Sequence, residues 1–183
     1  MIARSQVRAA QQRALRMLRE AGIAPTPAEA AQIEVADFGL DELERTGLEL
    51  VVYVNTDRYC AKELVMFPGQ TCPEHRHPDG RDYRGKMETF RVRRGTVFLY
   101  VPGPAAPRPQ AAIPAGAEAC YTARHEVVLR PGDQYTLPSD TLHWFQAGPE
   151  GAIVSEFSST SRDESDVFTD PRIRRLPAVD ETR

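Results

Sequence analysis

A chain of 183 residues with 41% hydrophobic content suits one domain, which at that size buries roughly 70% of its unfolded surface and needs no staples. The formal net charge of -3 gives no electrostatic footing for nucleic acid or an anionic membrane, so small neutral ligands fit better. Cys60, Cys72 and Cys120 are odd in number and unrelated in spacing. They argue against a disulfide framework and, with no apolar signal core and no apolar run of the ~18 residues a membrane span needs, for a cytoplasmic protein.

Val7, Ala10, Ala14, Met17, Leu18 and Ala21 recur at helical spacing among Arg4, Arg8, Arg13, Arg16 and Arg19, which predicts an amphipathic helix over residues 3–21. Gly22 stops it. Thr26-Pro27-Ala28-Glu29 is a capping box with Pro at the first helical position, starting a short second helix that ends before Asp37. Residues 1–31 thus form a helical arm whose apolar stripes belong on the outside of a barrel or on a partner subunit. From Leu48 the period becomes two. Strands are expected at residues 48–54 and 59–67, joined by a turn at 55–58, then at 88–93, 96–101, 126–129, 134–137, 142–147 and 152–158. Short strands separated by Gly and Pro turns make an all-β sandwich, barrel or jelly roll. Residues 102–116, rich in Pro and Ala and without periodicity, read as a surface excursion.

Within this pattern His75, His77 and Glu88 stand close together, and His143 follows downstream. Alternate residues of a strand share a face, so His75 and His77 point the same way if they lie on one. Three imidazoles and a carboxylate suit Mn, Fe, Co, Ni or Zn rather than Ca or Mg. Cys72 is near enough to be considered as a further ligand. Five residues separate Gly69 from His75, and six separate Glu88 from Gly95, which resembles the first cupin motif. The usual gap between the second His and the Glu is short, whereas ten residues, from Pro78 to Met87, intervene in this chain. The second cupin motif is matched by Gly132, Pro138 and His143, with Asp140 in place of its second Gly and Ala147 in place of its closing Asn.

Lys86 lies on the face of Glu88 and Phe90 if that strand reaches back to residue 86. It is then either a solvated strand-end charge or an acid beside an oxygen that becomes negative. Glu156 alternates with Ala152 and Val154 on an inner face, so it is either a hydrogen-bonded structural carboxylate or a general base. Lys62 shares the face of Leu64 and Met66, which directs it toward a ligand unless it is solvated at the strand end. His125 either reaches the pocket from its strand or alternates with Val127 and Leu129 as a core histidine. Trp144 and Phe145 are pocket wall or plain core.

His75-x-His77, Lys86-x-Glu88, the segment from Gly132 to Pro138, His143-Trp-Phe-Gln-Ala-Gly148, and Val154-Ser-Glu-Phe-Ser-Ser-Thr-Ser161 ending at Phe168-Thr-Asp-Pro171 together resemble the D-lyxose ketol-isomerases. The resemblance implies a single cupin domain over residues 32–171, followed by a tail at 172–183, and a homodimer. It implies Mn(II) held by His75, His77, Glu88 and His143, and the residues themselves offer Glu156 and Lys86 as catalytic groups and direct Lys62, His125 and Phe145 toward the sugar. The implied reaction interconverts D-lyxose with D-xylulose, and D-mannose with D-fructose, through an enediol. An Fe(II)-dependent cupin dioxygenase and a non-catalytic sugar-binding cupin are the competing readings.

Overall fold

The computed structural model describes residues 2–176 and 178–180. A two-residue strand, β1 (Ile2–Ala3), leads into α1 (Arg4–Glu20), and the capping box opens α2 (Pro27–Ala31). The Thr26 hydroxyl accepts from the Glu29 amide at 3.2 Å, and the Glu29 carboxylate accepts from the Thr26 amide at 2.7 Å. Each satisfies a donor that the helix itself leaves unpaired. The buried stripe Ala10, Ala14 and Leu18 packs on Val51, Val65, Phe67 and Ile153. These lie on the outer face of the sheet, so the arm covers the barrel from outside, as its amphipathicity requires.

The barrel follows as β2 (Glu34–Ala36), β3 (Leu48–Asn55), β4 (Cys60–Met66), β5 (Thr71–Arg76), β6 (Glu88–Val101), β7 (His125–Leu129), β8 (Gln134–Leu137), β9 (His143–Ser158) and β10 (Val167–Phe168), with β11 (Val179–Asp180) near the end of the chain. One sheet runs β10-β5-β9-β4-β3-β2, and β6 joins it by pairing with β7, β8 and β9. The fold is the cupin barrel with an N-terminal helix. Its interior is filled from every strand by residues such as Leu50, Leu64, Met66, Val92, Leu99, Leu129 and Val154.

Where four short strands were expected at 88–93, 96–101, 142–147 and 152–158, two long ones are found. β6 and β9 pair along their whole length, with register shifts between Val92 and Arg94 and between Gly95 and Val97. The glycines that read as turns are the bends of continuous strands. Gly95 (φ 73°) and Gly151 (φ 75°) adopt backbone that side chains resist, and a Cβ on Gly95 would lie 1.9 Å from the Gly151 carbonyl oxygen. The bend lets each strand pass from one wall of the barrel to the other.

Beyond β9 the chain folds back over the barrel mouth. β10 pairs with β5, Ile173 joins the barrel core, and β11 lies parallel to β1, so the two ends of the chain meet. Ile173 and Arg175 of the expected tail therefore pack on the barrel, while residues 177 and 181–183 lie outside the described residues. The 102–116 excursion is largely exposed but sets Ala111 and Ile113 against Tyr100 and Trp144. No described helix is long and apolar enough to cross a membrane.

Gly95→Ala should abolish folding or lower urea resistance severely, because the clashing atom is backbone and cannot rotate away. Gly69→Ala, at φ 70° with nothing within 4 Å of the added carbon, should cost only about 1–2 kcal/mol. Paired urea melts of the two variants check the difference.

Candidate metal centre and active site

The antiparallel pairing of β5 with β9 sets His75 directly opposite His143, and His77 follows just past the end of β5. The ligand atoms of the three histidines lie within 4.8 Å of one another, and all three side chains are buried. Each ring is fixed through Nδ1: His75 on the Pro73 carbonyl at 2.8 Å, His143 on the Thr141 carbonyl at 2.9 Å and His77 on the Asp166 carboxylate at 2.5 Å. That leaves the three Nε2 atoms as the free ones. Glu88, the first residue of β6, places Oε1 at 3.3 Å from His77 Nε2 and 3.0 Å from His143 Nε2. His143 Nε2 makes no hydrogen bond in this position, although it is buried. A buried nitrogen with no partner beside two more imidazoles and a carboxylate fits a divalent transition metal.

The electrostatics agree. Burial holds the His75 pKa well below the ordinary value, with His143 and His77 adding to the effect, so its ring is neutral as a ligand must be. Glu88 is held well below the carboxylate range: burial opposes this, but the Lys86 ammonium and His77 outweigh it. His77 is also pushed down by burial, yet Glu88 and Asp166 bring it up to about 9. The lining holds three cations, Lys62, Lys86 and Arg175, against four carboxylates, Glu88, Glu156, Asp163 and Asp166. One negative charge is in excess, and a proton on His77 or a bound cation neutralises it.

An inner row of one wall runs Lys62, Glu156 and Phe90 across β4, β9 and β6, with the exposed Val52 of β3 at its edge. The next inner row, Leu50, Leu64, Val154 and Val92, is wholly apolar. Lys62 and Glu156 thus point inward because their strands' apolar alternation forces them to, and both are 3% exposed. The Lys86 ammonium bridges Glu88 Oε2 at 2.7 Å and Glu156 Oε1 at 3.1 Å. Burial alone would lower the Lys86 pKa, but Glu156 and Glu88 hold it well above the usual lysine value. Lys86 precedes β6 rather than lying on it. The inserted loop delivers it: Gly85 backs onto the His77 carbonyl, where a Cβ would come within 2.0 Å of the oxygen, and its own carbonyl accepts from the Ser139 hydroxyl at 2.6 Å.

Phe145 lines the same cavity, with its ring stacked parallel to that of His143 at 6.4 Å, whereas Trp144 faces the other side of β9 and stacks on Tyr100. Cys72 also lines the cavity, but burial pushes its thiol pKa well up and keeps it protonated, so it is a poor ligand. His125, expected toward the sugar, stands apart from this cavity. It is exposed, its Nδ1 lies 3.3 Å from the Pro104 carbonyl, and it is absent from the cavity lining. It opens β7, which pairs only with β6, so the alternation it shares with Val127 and Leu129 runs out past the barrel's end.

A family model described as D-lyxose isomerase matches residues 28–183. The chain belongs to the D-lyxose isomerase family. It is 63% identical over 173 residues to a D-lyxose ketol-isomerase of Cohnella laeviribosi, covering 94% of this chain and 95% of that one. It is 60% identical over 181 residues to a D-lyxose/D-mannose isomerase of Thermosediminibacter oceani, covering 99% and 100%. Among solved structures an L-ribose isomerase of Cellulomonas parahominis superposes with a TM-score of 0.83 at 19% identity, over 98% of both chains, which is a likeness of fold.

Three charged lining residues of this family member went unread in the sequence, Asp163, Asp166 and Arg175, and Phe168, quoted there only for the resemblance, lines the cavity with them. All belong to the segment that folds back after β9. Asp163 accepts from Lys62 and Arg175, each at 2.8 Å, and Phe168 stacks on His75 at 5.3 Å between ring centroids. Both Asp163 and Asp166 stand outside any periodic segment, so no sequence signal set them apart from solvated turn residues.

Behind the three histidines, Glu74 pins this segment down. Its buried carboxylate accepts from the Thr122 and Ala123 amides at 2.6 and 2.7 Å and from the Thr122 and Thr169 hydroxyls at 3.0 and 2.8 Å. Glu74→Ala should therefore cost roughly 3 kcal/mol, since it strands several buried donors at once. Thermal denaturation, with hydrogen exchange at residues 122–123, checks it.

Proposed function

We propose that this chain interconverts D-lyxose with D-xylulose, and D-mannose with D-fructose, as a metal-dependent aldose–ketose isomerase. The observation that carries the reading is the buried Glu156–Lys86 pair, set beside three imidazole Nε2 atoms and the Glu88 carboxylate in one cavity. The names of the relatives in Cohnella and Thermosediminibacter support the sugars. The cavity lining is rich in hydrogen-bonding groups, among them Lys62, Lys86, Glu156, Asp163 and Arg175. That polarity favours a polyol over the apolar substrate of a dioxygenase.

His75, His77, Glu88 and His143 would hold the ion, and Mn(II) suits their mixed nitrogen and oxygen donors. When bound, the ion would supply positive charge that stabilises a developing oxyanion. The chain's own groups do the rest. Glu156 takes a proton from one of carbons 1 and 2 and returns it to the other through an enediol. Lys86, already hydrogen-bonded to Glu156, donates a proton to the carbonyl oxygen on one of these carbons as it becomes negative and then takes the proton from the hydroxyl on the other, so the carbonyl shifts as the carbon-bound proton does. Phe90, Phe145 and Phe168 keep water from the reacting carbons. Lys62 and Arg175, both anchored on Asp163, offer donors to the remaining hydroxyls. The protein is read as a cytoplasmic homodimer, in keeping with three free cysteines.

Chelation should abolish turnover, and Mn(II) should restore it best. Elemental analysis showing full activity without metal would reject the ligand set. Glu156→Gln should keep metal and sugar affinity while lowering turnover by about 10²–10⁴-fold. Exchange of the carbon-2 proton with deuterated solvent reads the same step directly, and wild-type exchange in that variant would assign the base elsewhere.

A further inference from the structure

The three histidines are not held alike. His75 and His143 each take the carbonyl two residues before them, Pro73 at 2.8 Å and Thr141 at 2.9 Å, so the stretch of chain that carries each ring also orients it. His77 lies beyond the last residue of β5. Its Nδ1 partner is Asp166, at 2.5 Å and 89 residues farther along the chain. Both side chains are buried.

Asp166 arrives as part of a continuous apposition. The segment after β9 runs antiparallel along the histidine strand, with Val167 opposite Arg76, Phe168 opposite His75 and the Thr169 amide on the Glu74 carbonyl at 3.1 Å. Asp166 meets His77 at the end of that run, and Phe168 stacks on the His75 ring. With the segment lifted away, His75 and His143 keep their backbone anchors, while His77 loses the partner of its Nδ1. An imidazole free to turn about its side-chain bonds aims Nε2 at the site only part of the time, and it lacks the carboxylate that strengthens that nitrogen as a donor.

We propose that Asp166 is a positioning residue for His77, and that through it the binding of a divalent metal and the closure of this segment over the barrel mouth are coupled. The inference rests on the metal centre proposed above and adds what completes it: two of its imidazoles are oriented by the barrel, and the third only when the segment is down. The coupling is reciprocal. If closure improves the metal affinity by some factor, bound metal holds the segment closed by the same factor. The segment also carries Asp163 and Arg175 to the cavity. A chain loaded with metal is therefore one whose Lys62 and Arg175 donors are in place.

Mn(II) is the probe, on the full chain stripped of metal, with the fold of each variant checked by circular dichroism. Electron paramagnetic resonance of the free ion gives the Mn(II) Kd, and hydrogen–deuterium exchange of residues 163–175 gives the opening of the segment. Asp166→Ala should raise the Kd by about 10–100-fold. In the wild type, saturating Mn(II) should slow exchange of the segment by about that same factor, and in Asp166→Ala it should slow it far less. Ser165→Ala removes a hydroxyl bonded to the Arg162 carbonyl at 2.7 Å, and should leave the Kd unchanged. A carboxylate that only stabilised the segment would alter exchange without metal and leave the Kd alone. That result, or a loss of affinity in Ser165→Ala as large as in Asp166→Ala, would overturn the role of Asp166. Wild-type exchange that bound Mn(II) leaves unmoved would overturn the coupling, even if the Asp166 variant failed to fold. A wild-type chain that binds no Mn(II) would instead overturn the metal centre itself.

Discussion

The constraint on which the rest depends is a set of opposite charges buried inside a barrel. Glu88 holds it together, with one carboxylate oxygen at 2.7 Å from the Lys86 ammonium and the other at 3.0 to 3.3 Å from two imidazoles. An isolated charge in such a place costs several kcal/mol, so each of these groups is tolerable only if the others are present and correctly aimed. Segments that look peripheral in the chain are there to supply partners. The inserted loop brings Lys86, and the segment after β9 brings Asp163, Asp166 and Arg175.

That dependence ties chemistry to folding. Lys62 illustrates it: burial works to lower its pKa, but Glu156 and Asp163 raise it, so its charge is kept by a carboxylate from the barrel wall and one from the returning segment. Arg175 is held as a cation in the same way, with burial overcome by Asp163 and Glu34. The segment cannot leave without stranding charge at both ends. Its closure over the mouth is thus part of the barrel's stability, and a sugar entering the cavity meets a ring of donors already oriented by their partners.

The two long strands make this possible mechanically. β6 and β9 cross at Gly95 and Gly151, and the close backbone approach there lets both strands contribute to each wall. His143 opens β9 and Glu156 lies near its end. One strand therefore carries both a histidine of the candidate metal centre and the buried carboxylate of the opposite wall, with its position set by pairing on both sides rather than by a loop.

The sequence by itself determined the parts that rest on local periodicity and fixed spacing. Helix α1, the capping box, the strand alternation that turns Lys62 and Glu156 inward, and the grouping of His75, His77, Glu88 and His143 all follow from residue order, because period-two and period-3.6 patterns translate directly into faces. Tertiary structure decided what depends on where elements end and what lies across from them. His125 had the right alternation, yet its strand runs past the barrel's end and leaves it exposed. Lys86 had the right neighbours but reaches the site from a loop folded against His77. Gly95 and Gly151 looked like turns and are bends, since a glycine's freedom serves either purpose and only the neighbouring strand selects one. Asp163, Asp166 and Arg175 lie in aperiodic chain, where a charged residue is ordinarily solvated. The buried counter-charges across the cavity give them their places, and no local pattern encodes that long-range electrostatic demand.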